Sequence, residues 1–333
     1  MKKIELIVNE ENEDQKRNIE CSIIIPIRNA ETTICSTLNS LYNQSISFGE
    51  LIIINNNSND NSKSLIHDFL RDKKSNYRVI NQVNDFGLAH SYNAGIKIAK
   101  YDFIVILHSD VFLEKDALKK LLEPFDKNPE VVATFHIVEH PYQIWGKYNF
   151  WQKVFFARLV GKKFSGLDGK FDCFRKDALF KVGLFDELSF RTAGEDGDIV
   201  FRLKKIGKIM KTDATIIHLH NNDQTFNYRD IIHKQSQYSE AQGVLLRKGR
   251  IRTLINLIKA FFREILVIIL FIPFFGIISF FIIILYSFFY TKVIYFKECR
   301  DPRCIVLPFF NVFLLFISLF YAVKGFLNGK QRI

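Results

Sequence analysis

Two runs without a single charged residue constrain this chain more than anything else in it. "ILVIILFIPFFGIISFFIIILYSFFY" fills 265–290 and "IVLPFFNVFLLFISLFYAV" fills 305–323. A helix rises about 1.5 Å per residue and the hydrocarbon core of a bilayer is roughly 30 Å thick, so the first run is long enough to span with tilt and the second just spans. Uncharged stretches this long are rare in soluble cores. The pattern predicts two transmembrane helices, 265–290 and 305–323, in an α-helical membrane region that follows the rest of the chain. Pro273 and Gly276 interrupt the first run. Such breaks survive in a bilayer only where neighbouring groups re-satisfy the backbone, so a re-entrant element stays open as the alternative.

The charge pattern orients that region. The formal net charge is +11, and Arg247, Lys248, Arg250, Arg252, Lys259 and Arg263 crowd the segment 226–264 just before the first run. A basic juxtamembrane segment favours the cytosolic leaflet, which places the preceding domain on the cytoplasmic side of the cell membrane in a multi-pass topology. Lys324, Lys330 and Arg332 put the carboxyl terminus there too, while Lys292, Lys297, Arg300 and Arg303 in the connecting loop pull the other way. No helix-turn-helix, zinc-finger or RNP pattern accompanies the charge, so no nucleic acid is expected as a partner. Residues 1–20 form a polar lead-in of mixed charge with no signal peptide. The five cysteines, odd in number and without CxxC spacing, indicate reduced thiols and no structural zinc.

Upstream, strands alternate with helices. "CSIIIPI", "LIIIN" and "FIVIL" are short β-branched runs bounded by polar residues, which is a buried-strand signal. Between them, Ile34, Leu38, Leu41 and Tyr42, then Leu65, Ile66 and Phe69, then Leu88, Tyr92, Ile96 and Ala99 follow helical spacing, as do Leu118, Leu121, Leu122 and Phe125 after the last strand. That alternation predicts an α/β domain over 21–225, a mostly parallel sheet with helices on both faces, in two halves, 21–113 and 114–225. The strand ends "PIRN", "NNNSND" and "HSD" then emerge on one edge of the sheet, where open α/β sheets hold their ligands. Within 144–164, Tyr148, Trp151, Phe155 and Leu159 share a helical face among basic residues. This predicts an interfacial helix, with packing against the sheet as the plainer reading.

The first strand is followed by neither GxGxxG nor GxxxxGK[ST], so a nucleotide would be held by side chains at strand ends and not by a glycine-rich cradle. Four segments, "SIIIPIRNAETTI", "ELIIINNNSNDNS", "VNDFGLAHSYNAGIKIAKYDFIVILHSDVFL" and "FRTAGEDGDIVFRLKKIGK", resemble in order and spacing the family 2 glycosyltransferases of GT-A fold, over roughly residues 20–220. The resemblance implies inverting transfer of a sugar from a nucleotide diphosphate donor, assisted by Mg²⁺ or Mn²⁺. Asp110 matches the last aspartate of the family's metal-binding DxD motif, and a carboxylate-held cation neutralises a leaving diphosphate. His108 stands where the first aspartate would be, and Asn55 and Asn56 replace the aspartate pair of the second strand's loop. Amide groups both donate and accept hydrogen bonds, so Pro26, Asn29, Asn55, Asn56, Asn84, Gly87, Asn93 and His108 are the expected lining of the donor pocket, with UDP- and dTDP-linked sugars as donors.

Inversion needs one base to take the acceptor's proton as that oxygen attacks opposite the leaving group. Asp196 in "TAGEDGD" matches the family's base, with Glu195 beside it orienting the acceptor, while Asp198 and Arg202 are spaced at i,i+4 to pair. On a strand, His218 and His220 share a face, and either imidazole could complete the metal shell; His218 is placed first. No Arg-Trp follows Gln235, where processive polysaccharide synthases of the family carry QxxRW, and no "DLQ" continues from Asp110. The expected acceptor is therefore a lipid-linked glycan extended one sugar at a time. A polyprenyl-phosphate sugar transferase and a non-catalytic membrane-tethered sugar-nucleotide binder are the alternatives, and self-association as a homo-oligomer is left open.

Overall fold

The computed structural model describes residues 20–220 and 224–332, so the lead-in 1–20 lies, apart from Glu20, outside the described residues. Alternation of strand and helix begins at once: β1 (Cys21–Ile27), α1 (Ile34–Tyr42), β2 (Glu50–Asn56), α2 (Ser62–Leu70), β3 (Tyr77–Gln82), α3 (Leu88–Ile98) and β4 (Phe103–Leu107). Their strands pair in parallel in the order β3-β2-β1-β4. β3 is a half-exposed strand that the sequence reading passed over, because "YRVINQ" has too few apolar residues to stand out.

Period-two alternation divides each strand between two cores. Ile23, Ile25, Leu51, Ile53 and Val105 pack under α1 and α2. Ile24, Ile52, Ile54, Ile104 and Ile106 meet Tyr92 and Ile96 of α3 on the other face. Both faces are covered, which is why these strands read as near-continuous runs of isoleucine.

Beyond β4 the sheet becomes mixed. β5 (Val111–Leu113), α4 (Ala117–Lys127), β6 (Val131–Glu139), α5 (Phe150–Phe156), β7 (Lys163–Ser165), β8 (Phe171–Arg175), α6 (Lys176–Lys181), α7 (Glu195–Leu203) and β9 (Lys208–His218) follow in order. β8 runs antiparallel between β4 and β6, and β9 lies parallel to β6 and antiparallel to β5. The helix expected over 144–164 is confined to α5, where Asn149 caps the first turn with a reciprocal capping box through Gln152. Its aromatic residues pack inward: the ring of Trp151 lies 5.3 Å from Phe310 and 5.7 Å from Tyr228.

The C-terminal region comprises α8 (Tyr228–Arg247), α9 (Leu254–Ile269), α10 (Phe275–Tyr290), α11 (Lys292–Lys297) and α12 (Leu307–Asn328). The single helix expected at 265–290 is not formed. Pro273 cannot continue a ladder of backbone donors, Phe274 turns the chain at φ +71°, and α9 and α10 fold against each other across the break. The boundary placed at 264/265 falls inside α9. Among the described residues one stretch, Pro302–Asn328, is long and apolar enough to cross a membrane. α10 has 16 residues, or about 24 Å of rise, short of the roughly 30 Å core.

α12 lies along α8 at backbone contact. A Cβ on Gly243 would come within 2.0 Å of the Ala322 carbonyl, and one on Gly325 within 2.0 Å of the Glu240 carbonyl. Only glycine fits at either position. The opposite face of α12 exposes Phe309, Phe313, Phe320 and Leu327.

Candidate active site

Strand register brings the first cluster together. β5 pairs Val111 with His218 of β9, and the Leu219 amide donates to the Asp110 carbonyl at 2.7 Å. The two side chains consequently meet, with Asp110 Oδ2 3.2 Å from His218 Nε2. β6 pairs Glu139 with Ile217, which brings His140 to the same corner, and its Nδ1 lies 2.7 Å from Nε2 of His220. His220 itself sits at φ +45°, a left-handed conformation that non-glycine residues adopt rarely.

The three imidazoles each offer a nitrogen within 4.8 Å of the others. Burial keeps His140 and His220 neutral, lowering them to about 4 and about 2, with the neighbouring imidazoles adding to the effect. Burial alone would raise Asp110, but the imidazole of His218 and the charges of His108 and Lys170 outweigh it and hold the carboxyl well below the usual range. Asp110 Oδ1, His218 Nδ1 and His220 Nδ1 are buried without a hydrogen-bond partner. Buried polar atoms are normally satisfied. Orphaned groups of this kind, a carboxylate and imidazole nitrogens, are what a divalent cation would use. A bound cation would supply Lewis-acid neutralisation of a departing diphosphate.

The second cluster opens α7. Gly194 turns the chain at φ +89°, with no room for a side chain because a Cβ would lie 2.9 Å from that of Ala241. Glu195 is buried and its Oε2 lacks a partner. Burial, reinforced by the charge of Asp196, pushes its carboxyl up to about 8. Asp196 is more open, accepts from the Gly197 amide at 2.7 Å, and is raised by burial with a contribution from Asp168. At neutral pH Glu195 is therefore the protonated member of the pair, and Asp196 is the more open one. Asp198 faces away, held by Arg202 and Arg250, each at 2.6 Å.

Between the clusters runs "DGKFD", a loop the sequence reading did not single out. Lys170 pairs with Asp168 at 2.6 Å, and its charge acts on both Asp110 and Asp196. Asp172 accepts from the amides of Asp168 and Gly169 and meets His136 at 3.2 Å. His108, whose amide donates to the Lys170 carbonyl, lies 2.7 Å from the Tyr92 hydroxyl and is lowered to about 4 by burial. The signal available in sequence was two aspartates flanking a lysine just before a strand.

The expected donor-side residues are brought together less uniformly. Asn29 Oδ1 accepts from the Asn59 amide, Asn55 donates to Asn81, and Asn56 donates to Asp85 at 2.8 Å. Asp85 was overlooked, yet it ties this side together: it accepts from Asn56 and the Gly87 amide through Oδ1 and faces Arg28 and Arg191 through Oδ2. Burial would raise its carboxyl, but these bonds and charges prevail and lower it. Gly87 is required at φ +91°, where a Cβ would lie 2.6 Å from the Arg191 carbonyl. Asn84 is exposed at the rim, and Pro26 is buried within β1, opposite Ile54. Asn93 points elsewhere, bridging to the Phe185 backbone in both directions.

The carboxyl terminus supplies another unexpected member. Gln331, past the end of α12, is buried, and its Oε1 accepts from the amides of Arg191, Thr192 and Ala193 at 2.9, 2.9 and 3.3 Å. Nothing in the local sequence announces this contact, which exists only because α12 returns to the catalytic-side loop.

Comparison with known proteins bears on the family and the fold. Residues 22–188 match the sequence model of glycosyl transferase family 2. A poly-beta-1,6-N-acetyl-D-glucosamine synthase of Staphylococcus epidermidis is 30% identical over 176 residues, 50% of this chain and 42% of the relative. The same-named enzyme of Staphylococcus aureus is 27% identical over the same shares. The chain thus matches less than half the length of these relatives. In fold it is similar to a Pyrobaculum calidifontis mannosyltransferase solved with GDP-Man and Mn²⁺, with a TM-score of 0.60 at 13% identity, covering 94% of this chain and 88% of the other. It is also similar to GalNAc-T7 solved with UDP, GalNAc and Mn²⁺, with a TM-score of 0.55 at 13% identity over 75% and 51% of the two chains. The chain belongs to glycosyl transferase family 2.

Proposed function

We propose that this protein is an inverting glycosyltransferase that moves a sugar from a nucleoside diphosphate to a membrane-borne, lipid-linked glycan. The observation that carries the reading is the pairing of two unlike clusters across Lys170: an orphaned carboxylate–imidazole set at Asp110 and His218, and an acid pair at Glu195 and Asp196. The first would hold Mn²⁺ or Mg²⁺ against the donor diphosphate. Asp196 would take the acceptor proton, with protonated Glu195 donating a hydrogen bond. A purely binding protein has no use for the second cluster. Arg28, Asn55, Asn56 and Asp85 would meet the nucleoside, with His108 at the ribose.

Support for a glycan product comes from the relatives named as polysaccharide synthases, and support for a nucleotide donor and a cation comes from the neighbours solved with them. Single transfer is favoured because Gln235 is bonded to Ser239 and Ser318 within a helical interface and is followed by no Arg-Trp pair. The apolar stretch Pro302–Asn328 and the basic residues around α9 support a reading in which the enzyme sits at the membrane with its sheet domain in the cytosol.

The test is a thermal-shift screen of UDP-, dTDP- and GDP-sugars with and without Mn²⁺, followed by hydrolysis of whichever donor stabilises the protein. Cation-dependent stabilisation with slow hydrolysis is expected. Donor binding with no turnover under any acceptor condition would instead point to a sugar-nucleotide binder.

A further inference from the structure

A cavity of about 400 Å³ opens beside the acid pair, on the side of the C-terminal helices. Its floor is the Ala193–Gly194 backbone that leads directly into Glu195, and Tyr238 and Gln242 of α8 form one wall. Its lining includes two guanidinium groups, Arg158 after α5 and Arg263 on α9. Neither has a carboxylate partner among the described residues. Arg158 stacks over Tyr290 at 4.2 Å, and Arg263 donates to Gln235 at 3.1 Å. The nearest acid in sequence, Glu264, is buried and bonded to Ser318. Two guanidiniums without carboxylate partners lining one cavity form a fork suited to phosphate oxygens.

The surroundings indicate the source of such a phosphate. On the outside of the same helices Ile258, Phe262, Phe281, Leu285 and Phe289 are exposed. An anion lodged between Arg158 and Arg263 therefore has an apolar surface on one side and the Ala193–Gly194 segment that leads into the acid pair on the other. The charge of Asp196 reaches Tyr238, which joins the cavity to the acid pair.

We infer that this cavity seats the phosphate or diphosphate of the lipid-linked acceptor, with Arg158 and Arg263 holding the phosphate oxygens and the lipid chain running out along α9 and α10. The inference rests on the transfer reading above and adds the group by which the acceptor is recognised.

The experiment uses the full chain in phosphatidylcholine nanodiscs with EDTA present, so that a diphosphate is not held through a cation at Asp110. Binding is measured for farnesyl diphosphate, farnesol, inorganic pyrophosphate and added phosphatidylglycerol. Farnesyl diphosphate should bind at least tenfold more tightly than the other three, and Arg158→Gln and Arg263→Gln should each weaken it about tenfold or more without lowering the unliganded Tm. Equal affinity for pyrophosphate would assign the site to a free phosphate, equal affinity for farnesol would reduce it to apolar partitioning, and equal competition by phosphatidylglycerol would make it a general headgroup site; each overturns the inference, as does unchanged binding by both variants. Should a glutamine variant fail to fold, the lysine variants decide: intermediate affinity supports a guanidinium fork, and wild-type affinity overturns it. Nucleotide-sugar turnover is followed in the same preparations with Mn²⁺ restored. Loss of turnover with farnesyl diphosphate binding intact faults the transfer reading alone, whereas the reverse result faults only the acceptor cavity.

Discussion

The two halves of the sheet domain treat their polar groups in opposite ways. On the donor side, Asn29, Asn55, Asn56 and Asp85 bond to one another or to the backbone around them. On the side of β6, β9 and α7, Asp110, His218, His220 and Glu195 each keep a buried atom with no partner. A satisfied network rigidifies a loop, while an orphaned buried group costs stability and persists where function retains it. The donor side is thus a preformed frame, and the other side, the centre, keeps unpaired buried groups, which in the proposed function are where a cation and a reacting acceptor would bind. Substitutions should therefore separate: in the frame they cost stability, and in the centre they cost turnover.

The largest effect should come from Asp196→Asn. A positioned general base contributes about 10²–10⁴ in rate, so kcat should fall by that order while the donor's thermal shift is kept. Unchanged turnover would remove Asp196 from the role and blur the contrast between the halves.

Glu195→Gln tests the same centre through stability. The folded-state carboxyl is raised to about 8 from 4.5, so between those values the native state holds a proton that the unfolded chain has lost. Stability of the wild type therefore falls as pH rises from about 5 to 8, by something on the order of 2–4 kcal/mol. Glutamine removes that slope. The variant should match the wild type near pH 4.5 and exceed it at pH 8 in chemical denaturation, while losing activity. A wild-type profile flat over this window would show that Glu195 is not held protonated by its surroundings.

Asn56→Ala probes the frame. It leaves Asp85 Oδ1 with the Gly87 amide alone and deprives the Phe86 amide of its acceptor. The cost should be about 1–3 kcal/mol, as for other part-buried polar groups stripped of a partner. A loss of activity with undiminished stability would contradict the division between the halves.

What could be read from the sequence divides along a different line. The parallel strands and their helices were legible because β-branched runs and helical periodicity are local signals, as in "CSIIIPI" and Ile34–Leu38–Leu41. Motif order singled out Asp110, Glu195 and Asp196 as candidates, the residues on which the proposed function is built. Asp85, His140 and Gln331 were not legible, because each acquires its meaning from a partner far along the chain: Arg191 for Asp85, His220 for His140 and the 191–193 loop for Gln331. The break at Phe274 was half legible. Pro273 marked it, but composition alone could not show that α9 and α10 fold back on each other and do not continue as one span.

Gln331 offers the finest test of how the halves are joined. Its Oε1 gathers the amides of Arg191, Thr192 and Ala193, immediately before Glu195, while Arg191 reaches across to Asp85 in the donor frame. Its Nε2 donates to the Gln237 carbonyl of α8. One side chain just past the end of α12 therefore fixes the loop that connects frame and centre. Gln331→Ala removes the shared acceptor and should lower kcat by about tenfold, since small misplacements of catalytic groups are costly. KM for the donor should change little, because Asn56 and Gly87 still hold Asp85. Gln331→Glu keeps an acceptor oxygen for the three amides and loses only the donor to Gln237, so it should recover most of the rate. Equal defects in both variants would mean that the α8 contact, and not the cradle of amides, carries the coupling. A rise in KM with kcat unchanged would move the effect into the donor frame.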